Sequence, residues 1–269
     1  MTFRPLSNVP SWRKLALHAW SRPSDPTVYG IVDLDAEPAL AHLDRLRELT
    51  GERVTLTHLV GKAVALAIRE RPDVNAILRR GRLFVRDTVD VFFQVAFEDG
   101  ENLAGAKVER ADEKSVVDIA RELGERATRI RTRKDHPTQK SAAQLANLPP
   151  WVTGLAMRVG EGLSYDFGLD LSKWGIPFDA FGSCMITNVG MFGLTTGFAP
   201  LFPPGRVPLV VTLGAVHPAP FVVEGRVEVR RKLVLGVAFD HRVLDGYQAG
   251  RMAKRFHQVL QDPETELGV

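Results

Sequence analysis

The chain has 269 residues, of which 45% are hydrophobic and 25% charged, as expected for a soluble globular protein with a sizeable core. Its 35 basic and 32 acidic residues leave a net charge of +3, which is too balanced to favour nucleic acid or a membrane surface as a partner. The single cysteine excludes an internal disulfide framework, and we recognise neither a membrane span nor a signal peptide. We therefore expect a cytoplasmic protein that binds neither nucleic acid nor membranes.

The first part of the chain is predicted to be mostly helical. Its helices repeat apolar residues every three or four positions and are bounded by capping residues, prolines or glycines. Lys62, on the most apolar of them, is interpreted as a solvated edge residue. The predicted elements are a helix from Trp12 to Trp20, a strand from Thr27 to Asp33, a helix capped by Asp35 that ends at Gly51, and a helix from Thr57 to Pro72.

A β pair is predicted next, with strands Arg82 to Val85 and Val89 to Phe97 joined around Asp87-Thr88. A short segment from Leu103 to Val108 follows the turn after Phe97. The next helix is expected from Asp112 to Arg133, because its apolar residues recur at helical spacing.

Residues 136–181 lack clear periodicity and are punctuated by prolines and glycines. One short helix is expected there, from Trp151 to Val159. A stretch of this length without further elements is unusual inside a compact domain, so we interpret it as a functional loop or a packing arm that could form an interface.

The remainder is predicted to be mostly β structure. In the strand within Gly182 to Gly193, Cys184 lies on the face opposite Thr187, because alternate side chains of a strand point to opposite faces. Further strands are expected from Leu209 to Val216 and from Val227 to Phe239, the latter after a turn at Glu224-Gly225. Together the two halves predict a mixed α/β domain in which several helices cover one sheet.

The stretch Leu233 to Gly246 carries the strongest chemical signal. An apolar strand ends in Asp240-His241-Arg242, and a helix begins after Asp245-Gly246. Rigid elements on both sides of His241 suit a catalytic base, because small displacements of reacting atoms cost large factors in rate. Alone, however, a histidine four residues before an aspartate is equally compatible with a helix N-cap beside an ordinary histidine.

The longer string His-Arg-Val-Leu-Asp-Gly, at 241–246, closely resembles the signature of the catalytic domain of 2-oxo acid dehydrogenase dihydrolipoyl acyltransferases, the E2 components. These share a fold with chloramphenicol acetyltransferase. Further segments follow the family's order over nearly the whole chain, and the most specific of them is Ile-Thr-Asn-Val-Gly-Met-Phe-Gly. The matching segments are 64–75, 89–91, 186–193, 203–204 and 213–216.

The resemblance implies a single catalytic domain over residues 1–269, with a two-layer, trimer-forming, chloramphenicol acetyltransferase-like α/β fold. It implies acyl transfer between coenzyme A and a dihydrolipoyl thiol, with His241 as general base and Thr187 as the hydroxyl that stabilises the oxyanion. Asp245 is expected to hold the site together through a salt bridge to an unidentified arginine. No metal is implied, because His241 and Asp245 lack an evident third ligand.

The chain also departs from the family pattern. It shows no lipoyl domain and no subunit-binding domain, so we expect the acyl group to arrive on a separate lipoyl carrier or as acyl-coenzyme A. The segment 136–181 is longer than its family counterpart and is interpreted as an inserted arm. Residues 264–269 lack the strongly apolar tail that joins E2 trimers into cages. A homotrimer is expected, with His241 of one subunit facing Thr187 of its neighbour, and other 2-oxo acid dehydrogenase components are candidate partners.

Two alternative functions stay open at this point. One is a non-catalytic or regulatory E2-like scaffold, suggested by the missing carrier domain. The other is coenzyme A-dependent transfer to a hydroxyl acceptor.

Other candidate residues are weaker. Cys184 is interpreted as a small core residue rather than a nucleophile. His217 is expected in a loop, and the remaining histidines on the surface or in packing roles. The basic cluster near the end of the Asp112 helix is interpreted as a solvated face, with contact to coenzyme A phosphates as the alternative; it comprises Arg126, Arg129, Arg131, Arg133 and Lys134.

Overall fold

The computed structural model describes residues 25–97, 102–131, 150–169, 171–172 and 178–268. The helix predicted from Trp12 to Trp20 lies outside these residues. The strands within them are β1 (Thr27–Asp35), β2 (Ala76–Arg79), β3 (Arg82–Val85), β4 (Val91–Phe97), β5 (Asn102–Val108), β6 (Cys184–Asn188), β7 (Leu209–Leu213), β8 (His217–Val223) and β9 (Arg226–Asp240).

The first helix ends at Gly51, which adopts a left-handed conformation (φ +71°) and donates its N–H to the carbonyl oxygen of Arg47. None of the described helices is both long and apolar enough to cross a bilayer. The helices are α1 (Glu37–Thr50), α2 (Leu56–Arg69), α3 (Val116–Arg131), α4 (Pro150–Glu161), α5 (Gly246–Gln261) and α6 (Pro263–Leu267).

Seven strands form one mixed sheet in the order β1-β9-β7-β6-β4-β5, with β8 paired to the first half of β9. β6 runs parallel to β4 and β7, and the other pairs are antiparallel. The apolar faces of α1, α2, α3 and α5 pack on one side of this sheet and enclose the core, which includes Phe93, Ile186 and Leu235. The predicted α/β architecture, helices packed on one sheet, is confirmed.

The predicted pairing of Arg82–Val85 with Val89–Phe97 is wrong. β3 instead pairs with β2 in a separate two-stranded hairpin. Its turn is Arg80-Gly81, with φ +48° and +71°, the two consecutive positive values that suit a two-residue hairpin. Residues 86–90 then cross to the main sheet, where β4 pairs with β5 and β6.

Two predicted elements are shorter than expected. The helix predicted from Asp112 begins at Val116, because the Ser115 hydroxyl accepts the N–H of Asp118 and caps the first turn. The strand predicted to reach Val216 ends at Leu213, after which the N–H of Ala215 donates to the carbonyl oxygen of Leu194. At Ala215 the backbone therefore bonds to the loop between β6 and β7 rather than to a neighbouring strand.

Two residue environments also differ from expectation. Lys62 is buried rather than solvated, and its ammonium donates to the carbonyl oxygen of Asp112 at 2.7 Å. Local sequence patterns do not predict this contact, because Lys62 and Asp112 are distant along the chain. His217 is the first residue of β8 rather than a loop residue.

The sheet face opposite the helices is crossed by the loop that follows β6. A Cβ atom on Gly236 would lie 1.9 Å from the carbonyl oxygen of Gly197, and one on Gly214 would lie 1.9 Å from that of Thr195. Only glycine therefore permits this close approach. The loop reaches β1, where Phe198 contacts Tyr29 edge to face at 5.5 Å between ring centroids.

Candidate active site

His241 occupies the corner between β9 and α5, as the sequence predicts. Its backbone N–H donates to the carbonyl oxygen of Pro26 at 2.9 Å, while the N–H groups of Val243 and Leu244 both donate to the carbonyl oxygen of Asp240. These bonds fix the corner, but the His241 side chain itself is exposed. Within the described residues its imidazole forms no hydrogen bond, and its ring is tilted by 26° from that of Phe239, with 6.4 Å between the ring centroids.

Asp240 and Arg242 on either side of the histidine neutralise each other. The buried carboxylate of Asp240 receives Nε and Nη2 of Arg242 at 3.0 and 2.7 Å and also accepts its backbone N–H. These bonds raise the pKa of Arg242. The pair therefore stabilises the turn that presents His241.

Asp245 caps the N-terminus of α5. Its carboxylate accepts the N–H of Gln248, and the Gln248 amide oxygen accepts the N–H of Asp245, both at 2.9 Å. This reciprocal capping box satisfies two backbone donors at the start of the helix. The salt bridge between Asp245 and an arginine is not formed among the residues described, and it stays a prediction.

Gln248 also joins this corner to the turn after α2. Its amide Nε2 donates to Asp73 at 2.7 Å, and Asp73 in turn holds Arg71 through two hydrogen bonds of 2.6 and 2.9 Å. The bond to Asp73, with a smaller contribution from the charge of Asp245, raises the pKa of Arg71. Sequence reasoning missed Gln248, although a glutamine three residues after an aspartate N-cap is a recognisable capping signal.

Thr187 lies near the end of β6 and is half-buried. It pairs with Thr212 of β7, which in turn pairs with Gly236 of β9. Residues directly opposite one another in a sheet share a face, so Thr187 points to the face that the loop crosses, away from the buried Ile186.

Thr187 and His241 are far apart within one chain. The two strand steps from β6 to β9 span roughly 10 Å, and Gly236 lies about 16 Å along the chain direction of β9 from His241. The Cα atoms of Thr187 and His241 are therefore about 19 Å apart. A single chain therefore does not bring the predicted base and the predicted hydroxyl together.

The alternative nucleophile is excluded by its surroundings. Cys184 is buried on the helix side of the sheet, and burial raises the pKa of its thiol. The interpretation of Cys184 as a core residue is confirmed. Among the described residues, no group of three histidine, cysteine, aspartate or glutamate side chains is placed to hold a metal ion.

The basic cluster of α3 is described only at its beginning. Arg126 donates to the carbonyl oxygen of Lys107 at 2.6 Å and to Glu122 at 2.7 Å. Its side chain is thus engaged with the protein itself. Arg133 and Lys134 lie outside the described residues.

Comparison with known proteins adds an independent observation. The sequence model of the family described as 2-oxoacid dehydrogenases acyltransferase (catalytic domain) matches residues 16–146 and 180–267. A curated relative, the succinyltransferase component of the mitochondrial 2-oxoglutarate dehydrogenase complex of Saccharomyces cerevisiae, is 26% identical over 243 residues. That alignment covers 90% of this chain and 43% of the relative, so the chain spans less than half of the relative's length.

Solved structures show the same fold. The cubic core of the pyruvate dehydrogenase multienzyme complex superposes with a TM-score of 0.63 at 22% identity, covering 97% of this chain and 93% of the other. A dihydrolipoamide acetyltransferase of Azotobacter vinelandii gives a TM-score of 0.62 at 20% identity, covering 98% of both chains. With most of its length matched by the family model, this chain belongs to the catalytic-domain family of the 2-oxoacid dehydrogenase acyltransferases.

Proposed function

We propose that this protein transfers an acyl group between coenzyme A and the thiol of a dihydrolipoyl group. The observation that carries the proposal is the exposed imidazole of His241, held at a hydrogen-bonded corner between β9 and α5. Family membership supports it, as do relatives that are named dihydrolipoyllysine acyltransferases.

In the proposed reaction His241 is the general base. A ring nitrogen accepts the proton of the incoming thiol while the sulfur attacks the thioester carbonyl carbon. The tetrahedral intermediate then collapses, the departing thiolate takes the proton back from the imidazolium, and the histidine returns to its neutral form. Histidine is the side chain that most often makes such a pair of proton transfers in enzymes.

The negative oxygen of the intermediate needs a fixed donor, and we assign this role to the Thr187 hydroxyl. Since Thr187 and His241 are about 19 Å apart in one chain, the site is proposed to form between two subunits of a trimer. There, His241 of one chain would face Thr187 of the next. The assignment of a hydroxyl and a histidine is supported by the Azotobacter acetyltransferase, in which the roles of a serine, a histidine and an asparagine in the catalytic mechanism have been investigated.

Asp245 is proposed to order the site without moving protons. Its bond to the N–H of Gln248 and the bond from Gln248 to Asp73 link the catalytic corner to the turn after α2. Both contacts limit rotation of the corner relative to the helices.

Assembly and partners are proposed from the same relatives. One solved neighbour is the cubic core of a multienzyme complex, and curated relatives are components of 2-oxo acid dehydrogenase complexes. We therefore propose a homotrimeric core, able to join larger assemblies, that receives acyl groups from coenzyme A or from a lipoyl carrier.

The test compares acceptors and variants. Purified protein is incubated with acetyl-coenzyme A and succinyl-coenzyme A, each with free dihydrolipoamide or an alcohol of similar size, and product thioester or ester is measured. We expect thiol acylation that falls about 10²- to 10⁴-fold in His241→Ala, the usual contribution of a general base. If the wild type and the variant are equally inactive with every acyl donor, the enzymatic function is rejected in favour of a scaffold. If the alcohol is the preferred acceptor, the thiol acceptor is rejected.

A further inference from the structure

The small hairpin of β2 and β3 exposes an apolar strand. All four residues of β3 are exposed, and Leu83, Phe84 and Val85 keep 48%, 46% and 57% of their surface in solvent. An exposed apolar strand at the edge of a sheet is a site where another strand can add. We refer to residues 79–85 as the hairpin edge.

The outer side of β2 is already closed. In a two-residue hairpin the residues flanking the turn bond to each other, so the backbone groups of Ala76 and Leu78 point outward. Arg86 donates to the carbonyl oxygen of Ala76 at 2.9 Å, and Arg206 donates to that of Leu78 at 3.0 Å. These guanidinium groups block strand addition on the β2 side.

Both closing arginines also anchor the segment that lies between the two family-matched regions. Arg86 forms two hydrogen bonds to Asp179 at 2.8 and 2.9 Å, and Arg206 binds Asp166 at 2.6 and 2.9 Å. Asp166 also accepts the N–H of Arg80 in the hairpin turn. The hairpin edge is thus held in place before any partner arrives.

Among the described residues, the outer side of β3 is open. By the same alternation, Leu83 and Val85 point their N–H and carbonyl groups away from β2. No described residue forms a hydrogen bond with these groups. They match the backbone spacing of an added polypeptide strand, which neither a nucleic acid nor a lipid surface can satisfy.

The hairpin edge is also positively charged. Among the described residues, Arg79 and Arg82 form no salt bridge, and Arg80 interacts with Asp166 through its backbone N–H and its charge alone. Arg79 lies over the ring of Phe84 at 5.2 Å, and Arg80 lies over that of Phe167 at 4.3 Å. Asp166 and Asp179, two described carboxylates beside the hairpin, are bound by Arg206 and Arg86.

We propose that the hairpin edge binds an extended acidic segment of a partner protein by strand addition along β3. Acidic side chains of the partner lie beside Arg80 and Arg82, and apolar side chains pack on Leu83 and Val85. None of the residues 79–85 is assigned a role in acyl transfer, so this proposal does not depend on that reaction.

The test uses isotope-labelled full chain and short synthetic peptides. A peptide of alternating valine and glutamate is titrated against its valine–lysine counterpart and against a fully N-methylated version that cannot pair. We expect shifts at the amides of Leu83 and Val85 and at least about tenfold weaker binding of both control peptides. Val85→Pro removes one outward N–H and is expected to weaken peptide binding. Val85→Thr keeps that N–H and is expected to bind the peptide as the wild type does.

Charge reversal gives a second measurement. The double variant Arg80→Glu with Arg82→Glu is expected to prefer the lysine peptide, while hydrogen exchange of β2 confirms an intact hairpin. Equal binding of all peptides, or no binding, overturns the proposal. Two further results would overturn it. One is binding of anionic vesicles or single-stranded oligonucleotides that is tighter than binding of the glutamate peptide and is unchanged in Val85→Pro. The other is self-association of the chain that the double variant abolishes.

Discussion

The backbone N–H of His241 donates a hydrogen bond of 2.9 Å to the carbonyl oxygen of Pro26. The bond continues the ladder between β1 and β9, in which Thr27 is paired with Asp240. The histidine backbone is therefore fixed by two strands, while its ring stays exposed. This arrangement suits the proposed role of His241 as a base that meets a substrate held partly by another subunit.

The role of the Thr187 hydroxyl is tested by two substitutions, one that removes the hydroxyl and one that keeps it. Thr187→Val removes the donor, and we expect kcat to fall about 10²- to 10³-fold with a smaller change in KM, because the oxyanion exists only in the transition state and intermediate. Thr187→Ser keeps the hydroxyl and is expected to retain activity within about tenfold. An active valine variant would remove Thr187 from the mechanism.

Mixed oligomers test whether the site lies between chains. His241→Ala and Thr187→Val subunits are each expected to be inactive alone. Unfolded together in equal amounts and refolded, they would form intact His241–Thr187 pairs at about one quarter of the interfaces of a cyclic trimer. Activity near a quarter of the wild type is the expected result. Its absence from mixed trimers of demonstrated composition would contradict an interchain site.

Asp245 is expected to matter through its cap. Asp245→Ala removes the acceptor for the N–H of Gln248 and should lower the free energy of unfolding by about 1 kcal/mol. Asp245→Asn offers the same acceptor, so its stability should stay within about 0.5 kcal/mol of the wild type, with activity above that of the alanine variant. Urea denaturation and kcat/KM measure the two effects. An asparagine variant as impaired as alanine would show that the charge is required.

His58 makes stability depend on pH. Burial lowers the pKa of His58 from its ordinary value near 6.5 to about 4, and its Nδ1 must stay unprotonated to accept the N–H of Thr55 at 3.2 Å. The unfolded chain binds the proton first, so the stabilisation is complete above about pH 6.5 and is lost as the pH falls toward 4.

The matched variant is His58→Gln, because a glutamine at this position can accept the same N–H without titrating. The wild type is expected to lose about 1–3 kcal/mol more than this variant between pH 7 and pH 4, measured by urea denaturation. Parallel losses in the two proteins would contradict the lowered pKa.

Arg206 is expected to hold the segment around α4 in place. Arg206→Met leaves Asp166 and Glu161 without their partner and should cost about 2–4 kcal/mol, with faster proteolysis near Tyr165. Arg206→Lys restores the charge but not the paired geometry, so an intermediate loss is expected. Unchanged stability and unchanged proteolysis in the methionine variant would contradict this anchoring role.

Local signals explain the parts of the fold that were predicted correctly. The helix after Asp245, the end of α1 at Gly51 and the hairpin at Glu224-Gly225 each depend on a few neighbouring residues. Arg80-Gly81 also has two positive φ values, but arginine is a weak turn residue, so the sequence predicts the turn of the β pair at Asp87-Thr88 instead.

The sequence alone determined the α/β architecture, the position of His241 at a strand-to-helix corner and the family to which the chain belongs. These follow from periodicity and from short ordered motifs. Only the tertiary structure decided that Lys62 is buried, that Gln248 binds Asp73, and that the Cα atoms of Thr187 and His241 are about 19 Å apart within one chain. Each of these depends on contacts between residues distant in sequence, which strand register and helix packing create and which no local pattern encodes.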